Sequence, residues 1–418
     1  MIWFMFWMLF ASSLGFFKLI TLATVLDVSN YGKYVAIFGL STLAGAIVSF
    51  GLIERSTKLY PRMWIEGKHS KILRDASIDM ATLLMRFGLL ILVGLTLTHI
   101  EKVSFNWREV VCLCLLGLSS ACLCLFASLY RASSSHNALQ RFTFWRSGSA
   151  FVLAIIGGYF GDWAGALSGE ILASFFTSIY SIYTIHRLYA ESPKGICGSE
   201  KIEDRDNEQG HGKLYVANMM TASTTMIDRQ FIGSALGASA AGTYGAIMLL
   251  PQISQMIVNV VSQYIGPLII KFVHQGHEDK SNISALWLQS GGAVLLSGLC
   301  VGVVLIGKQI TFVDSFITKF SISDTSLILA GIIAAGQIYS LIEFHLIAHD
   351  CERFILAASS FSTGIFFLLF ILAAQYSLSV EYFVGVGALC RWLQVVILAW
   401  AFAVNQNQTH RKNFKNSA

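Results

Sequence analysis

The sequence predicts an all-α polytopic membrane protein of twelve transmembrane helices arranged as two parallel six-helix repeats. Three observations predict it: a deficit of charge, a train of long apolar runs, and an echo of the first half in the second. Of 418 residues, 55% are apolar and 13% charged, about half the charged share of an ordinary soluble protein. Apolar runs of about 18 to 25 residues recur along the chain, each long enough at helical rise to cross a hydrocarbon layer of roughly 30 Å. Lipid allows a spanning backbone only two forms, the helix and the closed barrel. The runs are continuous rather than alternating, which excludes the barrel.

In order, the spans are 2–26, 34–53, 80–98, 109–130, 146–161 and 164–186, then 214–235, 241–264, 285–306, 326–348, 354–374 and 381–402. The first carries Lys18, and the second ends beside Gly51 at the basic stretch ERSTKLYPRMWIEGKHSKILRD. Arg86 in the third and Arg146 at the start of the fifth lie near span ends, where long cationic side chains snorkel toward headgroups. The fourth holds Cys112, Cys114, Cys122 and Cys124. Spacing of i, i+2 turns two side chains about 200° apart, so these thiols cannot grip one metal and read as packing residues. Glu170 lies in the sixth span, Asp228 and Arg229 in the seventh. Pro251 interrupts the eighth, freeing a carbonyl and offering a bend. Small residues at 298–302 suit close packing at the ninth. The tenth has Glu343, His345 and His349 near its inner end, and the twelfth has Arg391 near its middle.

Lys and Arg sort by side. With Arg146 at the boundary of the fifth span counted in the segment before it, the segments after even-numbered spans and the C-terminal tail hold 20 of the 29, the opposite segments hold five, and four lie inside spans. Positive charge marks the cytoplasmic side, so both termini are expected there. The predicted organisation is an N-terminal six-helix lobe at 1–189, a cytoplasmic linker at 190–213, a C-terminal six-helix lobe at 214–402 and a cytoplasmic tail at 403–418. The linker is charged and mixed in sign, a tether by composition and a docking segment as the alternative. Basic residues confined to short loops leave no nucleic-acid surface.

A shift of 210 residues aligns LDVSNYGKYVAIFGL (26–40) with LGASAAGTYGAIMLL (236–250), with seven of fifteen positions identical, Gly32/Gly242 and Tyr34/Tyr244 among them. Both copies lie at the turn between the first two spans of a six-span half. The halves therefore share one orientation, related by an axis along the membrane normal.

This element resembles exporters of the multidrug/oligosaccharidyl-lipid/polysaccharide (MOP) superfamily, specifically the bacterial O-antigen and polysaccharide flippases. The residues that carry the resemblance are Tyr31, Gly32 and Tyr34, Gly51 and Arg55 closing the second span, then Asp228, Arg229, Gly233, Gly242 and Tyr244. The resemblance implies a MATE-like two-lobed transporter whose central V-shaped cavity opens alternately to either side. It implies an undecaprenyl-diphosphate-linked oligosaccharide as cargo, an O-antigen or capsule repeat unit turned from the inner to the outer leaflet of the bacterial inner membrane. Membrane lipids, a coupling proton or sodium ion, a polysaccharide polymerase and a chain-length regulator would be its partners. Such a carrier is not an enzyme, and no cofactor or metal is expected.

A charge inside a span costs roughly 2.5 to 3.5 kcal/mol on insertion scales, so each demands a reason. Lys18, Glu170, Asp228 and Arg229 lie at similar depth, roughly 10 to 12 Å from one membrane face, and could form one layer. At the repeat offset Lys18 maps onto Asp228. The layer reads either as ion pairs that lock helices or as a gate that breaks when the lobes rock apart. Arg391 either meets an anionic cargo, which its planar guanidinium suits, or pairs with Glu343 or Glu170. Arg55 is either a diphosphate-capturing residue at the cytoplasmic mouth or a positive-inside anchor. Glu343 and His345 are candidate proton-coupling groups or interfacial residues. The substrate-binding candidates are thus Arg391, Lys18, Arg229 and Arg55, with Asp228, Glu170, Glu343 and His345 for gating or coupling.

Two other functions remain open. A cation-coupled multidrug antiporter would share the fold but needs acidic groups in its cavity. A membrane polysaccharide polymerase or ligase would need a sizeable outward loop, and the longest, at 99–108 and 307–325, carry no paired carboxylates for acid and base work.

Overall fold

Among the described residues the apolar runs form helices, because only an internally hydrogen-bonded backbone is stable in lipid. A computed structural model of the chain describes residues 2–98, 106–133, 135–190, 208–258, 302, 311–348 and 351–417. The first half contains α1 (Ile2–Val25), α2 (Val28–Ser49), α3 (Leu52–Ile65), α4 (His69–Thr98), α5 (Trp107–Ala132) and α6 (His136–Ala190). The second contains α7 (Glu208–Met226), α8 (Asp228–Leu236), α9 (Ala238–Ile247) and α10 (Leu249–Val258). It continues with α11 (Thr311–Lys319), α12 (Asp324–Ala335), a 3₁₀ turn (Gly336–Ile338), α13 (Tyr339–Ala348), α14 (Glu352–Gln375) and α15 (Val380–Ser417). No strand occurs among the described residues. Seven helices there are long and apolar enough to cross a membrane, or eight if α11 and α12, bent by 103°, count as one. The predicted ninth span and the small-residue run 298–302 lie outside the described residues apart from Gly302.

Helix α6 is two of the predicted spans in one. A straight helix of its length would run roughly 80 Å, far beyond the bilayer. It breaks at Gly161 and Asp162, whose backbone angles are non-helical. The two arms then fold together: a Cβ on Gly157 would sit 2.1 Å from the Gly165 carbonyl oxygen, and one on Gly165 would sit 2.0 Å from that of Gly157.

Several expected loops are helical. The basic stretch after the second span forms α3 and the start of α4, with Ser56, Tyr60 and Met63 buried along one face of α3. The expected outward loop 307–325 contains α11, and α15 continues through most of the expected tail. Arg86 does not snorkel. Its guanidinium donates to the carbonyls of Val48 and Ser49 at 3.0 and 3.3 Å, satisfying the C-terminal end of α2.

The seventh and eighth spans are broken rather than continuous. Hydroxyls of Ser223, Thr224 and Thr225 bond back to carbonyls three or four residues earlier just before the break at Ile227. Such back-bonding competes with the helix ladder and bends it. Past the break at Met248, Pro251 supplies no donor for the carbonyl of Ile247.

The halves meet through α2, which packs on α7, α8 and α9. Gly32 and Gly242 face each other there. A Cβ on Gly32 would lie 1.9 Å from the Ala238 carbonyl oxygen, and one on Gly242 would lie 2.1 Å from that of Val28. Val28 and Ala238 are themselves 210 residues apart, so the contact is reciprocal under the repeat. Equivalent glycines thus sit against the pseudo-two-fold axis, as parallel repeats require.

Candidate functional site

Among the described residues, Lys18 and Glu170 group in the first half and Asp228, Arg229 and Arg391 in the second. In the first, the Lys18 ammonium on α1 bonds Glu170 on α6, and both are buried. The Tyr34 hydroxyl donates to the same carboxylate at 2.8 Å, and the Phe38 ring lies 5.1 Å from the ammonium. This pair is internal to one half.

The second cluster lines a cavity of about 110 Å³ in the other half. The break between α7 and α8 places Asp228 in the first turn of α8, where a carboxylate suits the positive end of the helix. Its oxygens accept from the Arg229 backbone N–H and the Tyr244 hydroxyl, both at 2.7 Å. Arg229 is 9% exposed, and its Nε is buried without a hydrogen-bond partner among the described residues. Its charge acts on Tyr31 and Tyr34 across the junction with α2.

Arg391 enters the cavity from α15. Its aliphatic stem crosses the backbone of the 3₁₀ turn, where a Cβ on Gly336 would come within 2.6 Å of the arginine Cγ. The guanidinium lies 4.5 Å from the centre of the Tyr339 ring and donates to Gln394 Oε1 at 3.2 Å. No carboxylate among the described residues lies within 4 Å of it, although Arg391 is the charge that acts on Glu343. The 3₁₀ turn loosens the helix ladder, and neighbours take up nearby carbonyls: Ser254 bonds Ala334 at 2.8 Å and the Trp392 indole bonds Ile332 at 2.8 Å.

Of the predicted residues, Asp228, Arg229 and Arg391 therefore share one cavity. Lys18 and Glu170 share another place, bound to each other. Arg55 is exposed on α3 with its guanidinium 3.9 Å from Asp79, apart from both. Glu343 lies one helical turn beyond Tyr339, while the His345 side chain and His349 are outside the described residues. The sequence reading missed Gln337 and Gln394 as cavity residues. Gln394 carried a signal, standing one helical turn from Arg391 in an otherwise apolar span, and its buried Nε2 also lacks a partner among the described residues.

What the cavity can do chemically follows from this census. It offers two permanently charged guanidinium groups, that of Arg229 with its Nε unpartnered among the described residues, and the unpartnered Gln394 amide, against one carboxylate already engaged. That balance favours an anion over a cation.

No protein-family model matches the chain, and no curated protein matches it in sequence. Solved structures do. An inward-facing multidrug resistance MATE family transporter of the MOP superfamily is 10% identical over 96% of this chain and 96% of its own, with a TM-score of 0.69. The Vibrio cholerae MATE transporter VcmN in the bent form is 14% identical over 96% and 97%, at 0.59. The lipid II flippase MurJ in an inward closed conformation is 13% identical over 96% and 87%, also at 0.59. At these identities the likeness is one of fold: the chain is a multi-pass membrane protein with the two-lobed fold of MATE transporters of the MOP superfamily and of the lipid II flippase MurJ.

Proposed function

We propose that the protein turns an undecaprenyl-diphosphate-linked oligosaccharide, an O-antigen or capsule repeat unit, from the inner to the outer leaflet of the bacterial inner membrane by alternating access. The observation that carries this reading is the cavity in which Arg229 and Arg391 outnumber Asp228. A diphosphate brings two negative charges and oxygens that match the guanidinium fork. The sugar would meet the amide and hydroxyl side chains around it.

Structural relatives include both drug transporters and a lipid flippase, so charge in the cavity must choose between them. A multidrug antiporter for cationic drugs needs carboxylates free to bind cargo or a coupling ion. Here Glu170 is bound by Lys18 and Tyr34, Asp228 by Tyr244 and the Arg229 backbone, and Glu343 is not among the residues that line the cavity. A polymerase or ligase is less well supported, since α11 occupies much of the longest expected outward loop. The reading places both termini in the cytoplasm, with a polymerase and chain-length regulator acting on the product beyond the membrane.

The test is deletion of the gene in its host, with surface polysaccharide and lipid-linked intermediates as readouts. Wild type is expected to restore polymer, Arg391→Ala to fail with repeat units held at the inner leaflet, and Arg391→Lys to restore export only in part, about tenfold or more below wild type. Polymer unchanged by the deletion, with sensitivity to cationic drugs raised instead, would overturn the proposal in favour of the antiporter.

A further inference from the structure

The two halves touch closely at the end that carries the α1–α2 and α8–α9 turns, and one polar side chain ties them there. Lys319, the last residue of α11, belongs to the second half. Its ammonium donates to the carbonyls of Ala23, Thr24 and Leu26 in the first half, at 2.8, 2.9 and 2.6 Å. An ammonium has three donors and no acceptor, so the group is saturated. The acceptors are among the carbonyls that the end of α1 cannot bond within itself, at the negative pole of that helix.

The position of Lys319 follows from the sharp bend that follows it. The 103° turn between α11 and α12 presses Phe320 inward, 1% exposed, with its ring 5.6 Å from that of Tyr31 on α2. The Thr243 hydroxyl on α9 holds the Phe320 carbonyl at 3.0 Å. The turn is thus fixed to its own half by Thr243 and presented to the other half by Phe320 and Lys319.

We propose that Lys319 is the latch of this closure: its ammonium, set on the carbonyls at the end of α1, holds the lobes together at this end and lets go when the cavity opens there. The other candidates for that work are committed elsewhere. Lys18 and Glu170 bind each other within one half, and Asp228 is bound by Tyr244 within the other. Breaking either in lipid would strand a buried charge. The Lys319 contact is only partly buried, so water takes over both the ammonium and the carbonyls when they separate. A lysine is well suited to such release, being strongly hydrated on a flexible stem. The inference rests on lobes that rock apart, as in the proposed function, but not on what they carry.

Full-length protein in lipid nanodiscs, with encoded spin labels at the exposed positions Val25 and Thr325, reads the separation directly and without cargo. Wild type and Lys319→Arg are expected to show one short distance. Lys319→Met is expected to add a longer one, with the ratio of open to closed raised at least about tenfold. Should Lys319→Met fail to fold, Lys319→Gln, which can bond at most two of the carbonyls, is expected to give a smaller shift in the same direction. A folded variant whose distances match wild type, even with lowered heat stability, would make Lys319 a helix cap only and overturn the latch. Because no cargo is present, failure of the polysaccharide assay leaves this result standing.

Discussion

An alanine at position 32 would place its methyl carbon 1.9 Å from the Ala238 carbonyl oxygen and 2.8 Å from the Gly242 nitrogen, both main-chain atoms. A carbon tolerates an oxygen at about 3.3 Å, so α2 and α9 must separate by about 1.4 Å, since backbone cannot rotate away as a side chain can. Overpacking of this kind costs about 1–3 kcal/mol, which is about 5- to 150-fold in a two-state equilibrium. Gly242→Ala meets the Val28 carbonyl oxygen at 2.1 Å and asks for nearly the same movement. A separation that relieves one clash relieves the other, so the double variant is expected to cost little more than either single one. Gly15→Ala in α1 is the control, with nothing within 4 Å of the added carbon. Heat-induced loss of the monodisperse purified protein measures stability, and the Val25 and Thr325 spin-label pair measures separation. Wild-type stability and distance in Gly32→Ala would refute the close approach, and fully additive losses in the double variant would refute the shared movement.

Two further outcomes concern the polar contacts. Lys18→Met or Glu170→Gln alone is expected to destabilise by about 3–5 kcal/mol by stranding a buried charge, while the double variant recovers most of that loss, as read by melting of the purified protein. On the cytoplasmic side of the proposed topology, Tyr60 donates to Asp79 at 2.7 Å, and Tyr60→Phe is expected to cost about 1–3 kcal/mol by the same measurement. Burial and that hydrogen bond hold the Tyr60 phenol above its usual range. A raised pKa in the folded state gives stability that is whole below the unfolded value of about 10 and is lost as pH climbs past it, so the phenylalanine variant is expected to decline less steeply there.

The helices were legible because lipid permits an apolar run of that length nothing else, and the repeat was legible because Gly32 and Gly242 need the same empty space. The breaks were not. An apolar window averages over Ile227 and Met248, and only local chemistry marks them, in the hydroxyls of Ser223, Thr224 and Thr225 and in Pro251. Charge pairing was the least legible, since no rule of spacing joins Lys18 to Glu170 across 152 residues. The repeat offset, which maps Lys18 onto Asp228, names the partner of neither. The tyrosines show what the offset does mean. Tyr34 and Tyr244 are equivalent, and each gives its hydroxyl to a buried carboxylate, Glu170 on α6 in one half and Asp228 on α8 in the other. The first carboxylate is neutralised by Lys18. The second faces a cavity that also holds Arg229 and Arg391. A symmetric frame thus carries an asymmetric charge, and a diphosphate entering between the lobes would find its counter-ions on one side only. Moving the positive charge to the other half, by Arg391→Gln with Glu170→Gln, is therefore expected to cost the stability already given for Glu170→Gln, while export per folded molecule falls as far as in Arg391→Ala. Export restored by that exchange would mean that net charge in the interior, rather than its place, selects the cargo.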